Sequence, residues 1–184
     1  MKWCETCPLR LYNKKGYNLS GVGNPFKGNL IVVSNVDYRS YKKQDMAFSS
    51  QVEIINNVLA FNNREQEQDY FIIPLIRCCE SISCTPDDNA INNCIKYFAN
   101  DVKTYNFKNI LLLGSAVNRF LNVNIKDYLG IKLVSKNRRN YFVNYSPLTK
   151  FVNNEIFETF ERELINWHNY VTNINVNKYK TLNI

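Results

Sequence analysis

Short apolar runs alternate along this chain with amphipathic or polar stretches, and the alternation predicts strands and helices in turn. Asn29 to Ser34 is a continuous apolar run between polar neighbours, the pattern of a strand buried on both faces. Tyr70 to Ile76 and Asn109 to Leu113 repeat it, and Pro74 inside the second run means one missing ladder bond. Ser50 caps a helix over residues 51–61, in which Val52, Ile55, Val58 and Leu59 share one side. Thr85-Pro86-Asp87-Asp88 starts a second helix that runs through Cys94 to Thr104. Gly114-Ser115 opens a short helix through Leu121, and two short strands, residues 131–134 and 140–144, precede a last helix from Asn153 to Val171. Residues 21–28, rich in Gly, Asn and Pro, read as a turn, and residues 35–50 as a polar loop.

Strands that alternate with helices pair in parallel and take helices on both faces. The expected fold is therefore α/β, a three-layer αβα sandwich around a mostly parallel four-stranded sheet, with its site at the strand carboxyl ends. One domain over residues 1–172 and a polar tail over 173–184 account for the chain.

Composition agrees with one packed core: 184 residues with 45% hydrophobic and 14% aromatic content are enough to bury one, which excludes a disordered chain. No apolar run approaches a membrane span, and the start, Met-Lys-Trp-Cys, carries no apolar signal segment, so a reducing cytoplasmic compartment is expected. A formal charge of +7 favours a polyanionic partner, with nucleic acid the usual one. The abundant asparagines read as coding bias from an AT-rich genome.

The cysteines change the picture more than the charge does. Cys4-Glu-Thr-Cys7 presents two sulfurs from one turn, and Cys78 and Cys94 supply a second pair from mid-chain. Four thiolates suit Zn²⁺ or an iron–sulfur cluster, and such a site pins the amino-terminal segment to the middle of the chain. Cys79 competes with Cys78 for the third position, while Cys84 reads as a small buried hydrophobe.

In order, the chain carries Cys-x2-Cys-Pro-Leu, Gly-x-Gly-Asn-Pro before a Leu-Ile-Val-Val strand, Arg77-Cys78 after the second strand, Cys94 beyond a Thr-Pro-Asp-Asp helix start, and Leu-Leu-Leu-Gly-Ser-Ala. Over roughly residues 4–170 this resembles the iron–sulfur uracil-DNA glycosylases, historically called phage DNA-polymerase-related. The resemblance implies a [4Fe-4S] cluster on Cys4, Cys7, Cys78 and Cys94, with zinc the alternative, and a pocket at the strand ends that receives a base flipped out of DNA. A phage or another AT-rich mobile genome fits as the source.

The positions matching the family's motifs have changed. Asn35 stands where the family has a water-positioning carboxylate, with Asp37 two residues on as a possible substitute. Phe48 is the nearest equivalent of the aromatic that stacks on the base. Pro74 replaces the asparagine that reads uracil, and lacks both a side-chain amide and an N–H. Asn144 replaces the histidine of the last motif; an amide can donate a hydrogen bond but carries no charge. The only histidine, His168, falls in the last helix. Asp37 and Asn144 are thus the residual catalytic candidates, and Asn35, Phe48 and Pro74 the base-pocket candidates.

For DNA contact the candidates are Lys132, Lys136, Arg138 and Arg139 with Tyr145, Ser146 and Pro147, interleaved with Tyr141 and Phe142 and joined by Arg39, Lys42 and Lys43. Such a mixture neutralises phosphates and stacks on bases. Three chemically unrelated losses imply a degenerate glycosylase kept as a DNA-binding or replication-associated module, partnered with DNA and with a polymerase or other replication or transcription protein. An active glycosylase with altered base choice and a protein-interaction subunit are the alternatives.

Overall fold

The computed structural model describes residues 5, 7, 9, 21–60, 69–78, 86–173 and 179–184. Seven strands form one mixed sheet: β1 (Val22–Gly23), β2 (Asn29–Asn35), β3 (Phe71–Ile76), β4 (Asn109–Leu113), β5 (Ile131–Val134), β6 (Asn140–Asn144) and β7 (Lys180–Asn183), in the order β1-β3-β2-β4-β6-β5-β7. Neighbours β3, β2, β4 and β6 run parallel; β1 and β5 pair antiparallel at either side, and β7 adds parallel to β5. The α/β class holds. The sheet, however, is seven-stranded and mixed where four strands were expected: β5 joins the four parallel strands antiparallel, and two further short segments, β1 and β7, extend it without any apolar pattern of their own. One of them, β7, lies in the stretch expected to be a polar tail; its four side chains are exposed, so only backbone pairing marks it as a strand.

The apolar runs bury both faces, as their lack of alternation requires. Leu30 and Val32 of β2 join Ile73, Leu75, Leu112 and Val143 in a core against Phe98 of α3 (Asp88–Thr104) and Val117 of α4 (Ser115–Leu121). Ile31 and Val33 point the other way, with Leu111, Leu113 and Phe142, onto α2 (Ser50–Ala60) and the Phe160, Leu164 and Trp167 stripe of α6 (Asn154–Val171). Each side chain closed off in this way contributes about 1.5–3 kcal/mol.

Residues 35–50, expected as a loop, contain α1 (Tyr38–Lys43) and a 3₁₀ turn over Met46–Phe48. Tyr-Arg-Ser-Tyr-Lys-Lys has no apolar spacing; the helix is specified by its cap, Asp37, whose Oδ1 accepts from Ser40 N at 2.8 Å. The short α5 (Ile125–Tyr128) is likewise capped by Asn124.

At the amino ends of the parallel strands, Asn29, Asn109 and Asn140 stand level across β2, β4 and β6. Asn140 Nδ2 donates to Asn109 Oδ1 (2.8 Å), Asn109 Nδ2 to Asn29 Oδ1 (2.9 Å), and Asn29 Nδ2 to the Asp69 carbonyl (2.9 Å). These three asparagines form a structural ladder, which the coding-bias reading does not foresee.

Candidate functional site at the strand carboxyl ends

β2, β4 and β6 finish side by side, and their ends are tied closely together. Gly114, directly after β4, has φ 57° and ψ −132°, and an added Cβ would lie 2.9 Å from Ser146 Cβ and 3.2 Å from Ser34 Oγ. Only glycine fits this approach. Its N–H donates to the Asn144 carbonyl at 2.9 Å, drawing the β6 end against β4. Ser34 Oγ donates to the Leu113 carbonyl (3.0 Å) and accepts from Ala116 N (3.2 Å), locking α4 over β2. Asn35 receives two donors: Gln51 Nε2 to its carbonyl at 2.8 Å, and Arg119 Nη1 to its Oδ1 at 2.6 Å. Burial lowers the Arg119 pKa.

Asp37 is spent on structure. Its Oδ1 accepts from Ser40 N and Oγ, and its Oδ2 from Ser49 Oγ (2.6 Å), Ser50 N (2.9 Å) and Ser50 Oγ (3.2 Å). Burial pushes its pKa up, but these hydrogen bonds outweigh that and hold the carboxyl below its ordinary value. A carboxylate so occupied joins the start of α1 to the start of α2 and has little capacity left to position water.

Asn144 is fully buried. Its Nδ2 donates to the Phe160 carbonyl at 2.9 Å and its Oδ1 accepts from Tyr145 N at 2.8 Å. The alternation along β6 turns it to the same face as Phe142, toward α6 and away from the strand-end opening. Pro74 is buried within β3, level with Val33, beyond the reach of β1, which pairs only with Phe71 and Ile72. It lies in the β2–β3 ladder, two residues short of the β3 end, where no described strand pairs with the other edge of β3. Phe48 is exposed, with Lys43 Nζ 5.7 Å from its ring centre. His168 is buried in α6 against Tyr70, ring centres 6.3 Å apart, and has no place at the strand ends.

A cleft of about 600 Å³ opens beside Gly114, walled by Ser115 and Asn118 of α4, by Asn122 and Lys126, and by Tyr145, Ser146 and Thr149 after β6. Of the DNA-contact candidates, Tyr145 and Ser146 line it; Pro147 is buried as the first residue of a 3₁₀ turn over Pro147–Phe151, whose Ser146 cap accepts from Leu148 N. Leu148, Phe151 and Val152 are exposed there.

The basic candidates lie elsewhere. Lys136, Arg138 and Arg139 occupy the turn between β5 and β6, at the amino end of β6 beside the asparagine ladder. β6 runs from that turn to Asn144, so the two ends are roughly 15 Å apart. Sequence proximity to Asn144 does not carry these residues to the strand carboxyl ends. Lys132 packs on α6, its Nζ 3.4 Å from Tyr170 Oη and 5.6 Å from that ring centre. Arg39 pairs with Glu53 at 3.2 Å, an exposed contact of small energetic weight.

Cys7, Cys78 and Cys94 are all buried and share one apolar cluster with Leu9 and Ala90. Buried thiols are donors of the kind that a cluster or zinc takes. Among the described residues, no three His, Cys, Asp or Glu side chains come together as ligands of a metal ion. Cys4, the fourth expected ligand, and Cys79 and Cys84 lie outside the described residues. The donor chemistry fits; the described thiols alone fall short of a complete site.

Sequence reasoning did not single out Ser34, Gln51 or Arg119. Gly114-Ser115 after an apolar strand marks a tight strand-to-helix turn, but nothing in the sequence joins Asn35 to Arg119 across 84 positions. Among the described residues no helix is long and apolar enough to cross a membrane. Compared with known proteins, the chain matches no protein-family model and no curated protein.

Proposed function

We propose that this protein is a uracil-DNA glycosylase-like iron–sulfur protein that has lost base excision and acts as a DNA-binding or replication-associated module. The three-layer glycosylase-like arrangement, with a parallel sheet at its centre, belongs to this reading. Support comes from the contiguous parallel strands β3-β2-β4-β6 and from the strand-end junction of Ser34, Gly114 and Ser146. The observation that carries it is the fate of the two residual catalytic candidates: Asp37 and Asn144 both spend their side chains on structural hydrogen bonds. Neither is left to activate water or to stabilise charge on a leaving base. DNA is the partner, with a polymerase or other replication protein beside it, in a reducing compartment.

Cys4, Cys7, Cys78 and Cys94 would hold a [4Fe-4S] cluster of structural role, with zinc the alternative; the shared burial of the three described cysteines supports the set. The exposed Leu148, Phe151 and Val152 favour a second reading, in which this face contacts another protein. The test is anaerobic purification with iron and zinc analysis, together with a base-release assay on uracil-containing DNA and salt-dependent DNA binding. Four irons per chain, no abasic product and affinity that falls steeply with salt are expected. Robust uracil release would overturn the loss of catalysis, and metal-free protein would overturn the family reading.

A further inference from the structure

The geometry points to a surface for single-stranded nucleic acid at the amino ends of the parallel strands, opposite the cleft beside Gly114. Three segments meet there: the 3₁₀ turn Pro25–Lys27 before β2, the loop between α3 and β4, and the turn between β5 and β6. Backbone hydrogen bonds join them. Lys108 N donates to the Gly28 carbonyl at 2.8 Å, and Asn140 N donates to the Lys108 carbonyl at 2.8 Å. Arg138 lies two residues before Asn140, in a turn closed by its own N–H to the Ser135 carbonyl at 2.8 Å. The three segments therefore lie side by side ahead of β2, β4 and β6, roughly 10 Å from first to last.

Two kinds of side chain are exposed on these segments. Phe26 is 85% and Tyr105 38% exposed, with ring centres 6.3 Å apart. Tyr105 in turn packs beside Phe71 (6.2 Å) and the fully buried Phe107 (5.7 Å), so the open rings are backed by the core and give up little freedom when a base stacks on them. Lys27, Lys108, Lys136 and Arg138 are exposed on the same segments, and among the described residues only Lys27 of the four has an ion pair, with Asp69 at 4.0 Å. Such a surface complements a polyanion, and its open rings favour a nucleic-acid strand over an acidic protein, because cations meet the phosphates while bases stack. The strand is single, since a duplex keeps its base faces stacked on one another. Asn29, Asn109 and Asn140 are engaged with one another in the ladder, so this edge does not read bases and binding is indifferent to sequence. The choice of DNA as the strand rests on the function proposed above.

The test uses the full chain with a labelled single-stranded oligodeoxynucleotide, its duplex and polyglutamate, followed by fluorescence anisotropy across a salt series. The single strand binds tightest. Phe26→Ala weakens it roughly tenfold with the salt slope unchanged, and Phe26→Trp holds it. Lys108→Gln combined with Arg138→Gln lowers the slope of log affinity against log salt by about 1.4, at about 0.7 per cation. All three positions are exposed, so the variants fold, and thermal melts check that they do. Single-strand binding that these variants leave intact and that Lys126→Gln in the strand-end cleft weakens overturns this surface while the DNA reading stands. Duplex bound as tightly as single strand, with no effect of Phe26→Ala, overturns the stacking surface and leaves phosphate contact alone. No binding of either DNA overturns both readings, and polyglutamate bound in their place gives the patch to an acidic protein.

Discussion

Asn29 and Asn109 stand level at the first positions of β2 and β4, and the Asn109 amide donates to Asn29 Oδ1 at 2.9 Å. Because Asn109 also accepts from Asn140, it is the middle rung that holds three parallel strands in register at their amino ends. A slip of one residue would leave donors and acceptors unmatched on all three strands while turning their apolar side chains to the wrong face.

Removing that rung should cost more than removing either end. Asn109→Ala leaves Asn29 Oδ1 and Asn140 Nδ2 without their partners and should destabilise by about 2–3 kcal/mol, against about 1 kcal/mol for Asn140→Ala. Urea denaturation of the two variants measures both values; equal losses would mean that the ladder does not act as a unit.

Asp37 gives the fold a dependence on acid. Its carboxyl, raised by burial but lowered further by the hydrogen bonds of Ser40, Ser49 and Ser50, titrates below its ordinary value of 3.8 in the folded chain. The unfolded chain therefore binds the proton first, so this contribution is complete above pH 3.8 and is lost as pH falls through the folded value. Asp37→Asn should flatten stability curves recorded from pH 5 down to pH 2; an unchanged slope would remove Asp37 as the source.

His168 acts in a higher window. Burial lowers its pKa from the ordinary 6.5, with Asp69 opposing the shift, and its buried Nε2 has no hydrogen-bond partner among the described residues. The unfolded imidazole takes up a proton that the folded one resists, so stability is full above pH 6.5 and declines as pH falls below it. His168→Leu should remove this decline between pH 6.5 and 5 while leaving the Asp37 step in place, as thermal melts across that range will show.

Arg77 and Asp101 form a buried ion pair between the end of β3 and α3, their side chains 10% and 21% exposed, with Tyr97 stacked 5.8 Å from the guanidinium. Asp101→Ala strands the charge and should cost roughly 3–5 kcal/mol, whereas Arg77→Met with Asp101→Leu should recover most of it. Cys78 directly follows Arg77, and Cys94 lies on α3 with Asp101. If those thiols hold the proposed cluster and the pair also positions them, Asp101→Ala will lower iron retained per folded chain, and the double variant will not restore it in step with stability.

Much of the frame was legible because burial writes itself into the sequence. β2, β3, β4 and β6 are apolar runs, and β4, β5 and β6 keep the predicted limits. What stayed hidden had no such signal. α1 rests on one capping carboxylate, β7 has no buried side chain, and the ladder uses residues whose abundance reads as composition. The position of Lys136, Arg138 and Arg139 stayed hidden for a different reason: their adjacency in sequence to Asn144 spans the whole length of β6. The burial of Asn144, by contrast, was within reach, since strand alternation groups it with Phe142.

The outer margin of the sheet has its own consequence for exchange with solvent. β7 is joined to β5 by backbone pairing, with Leu182 and its neighbours open to water. Its amides should trade hydrogen for deuterium through small local openings, long before those of β2 and β4, which wait for the whole chain to come apart. Protection will thus fall in steps from the middle of the sheet toward β7, and the order of labelling will read out the strand order without any structure in hand.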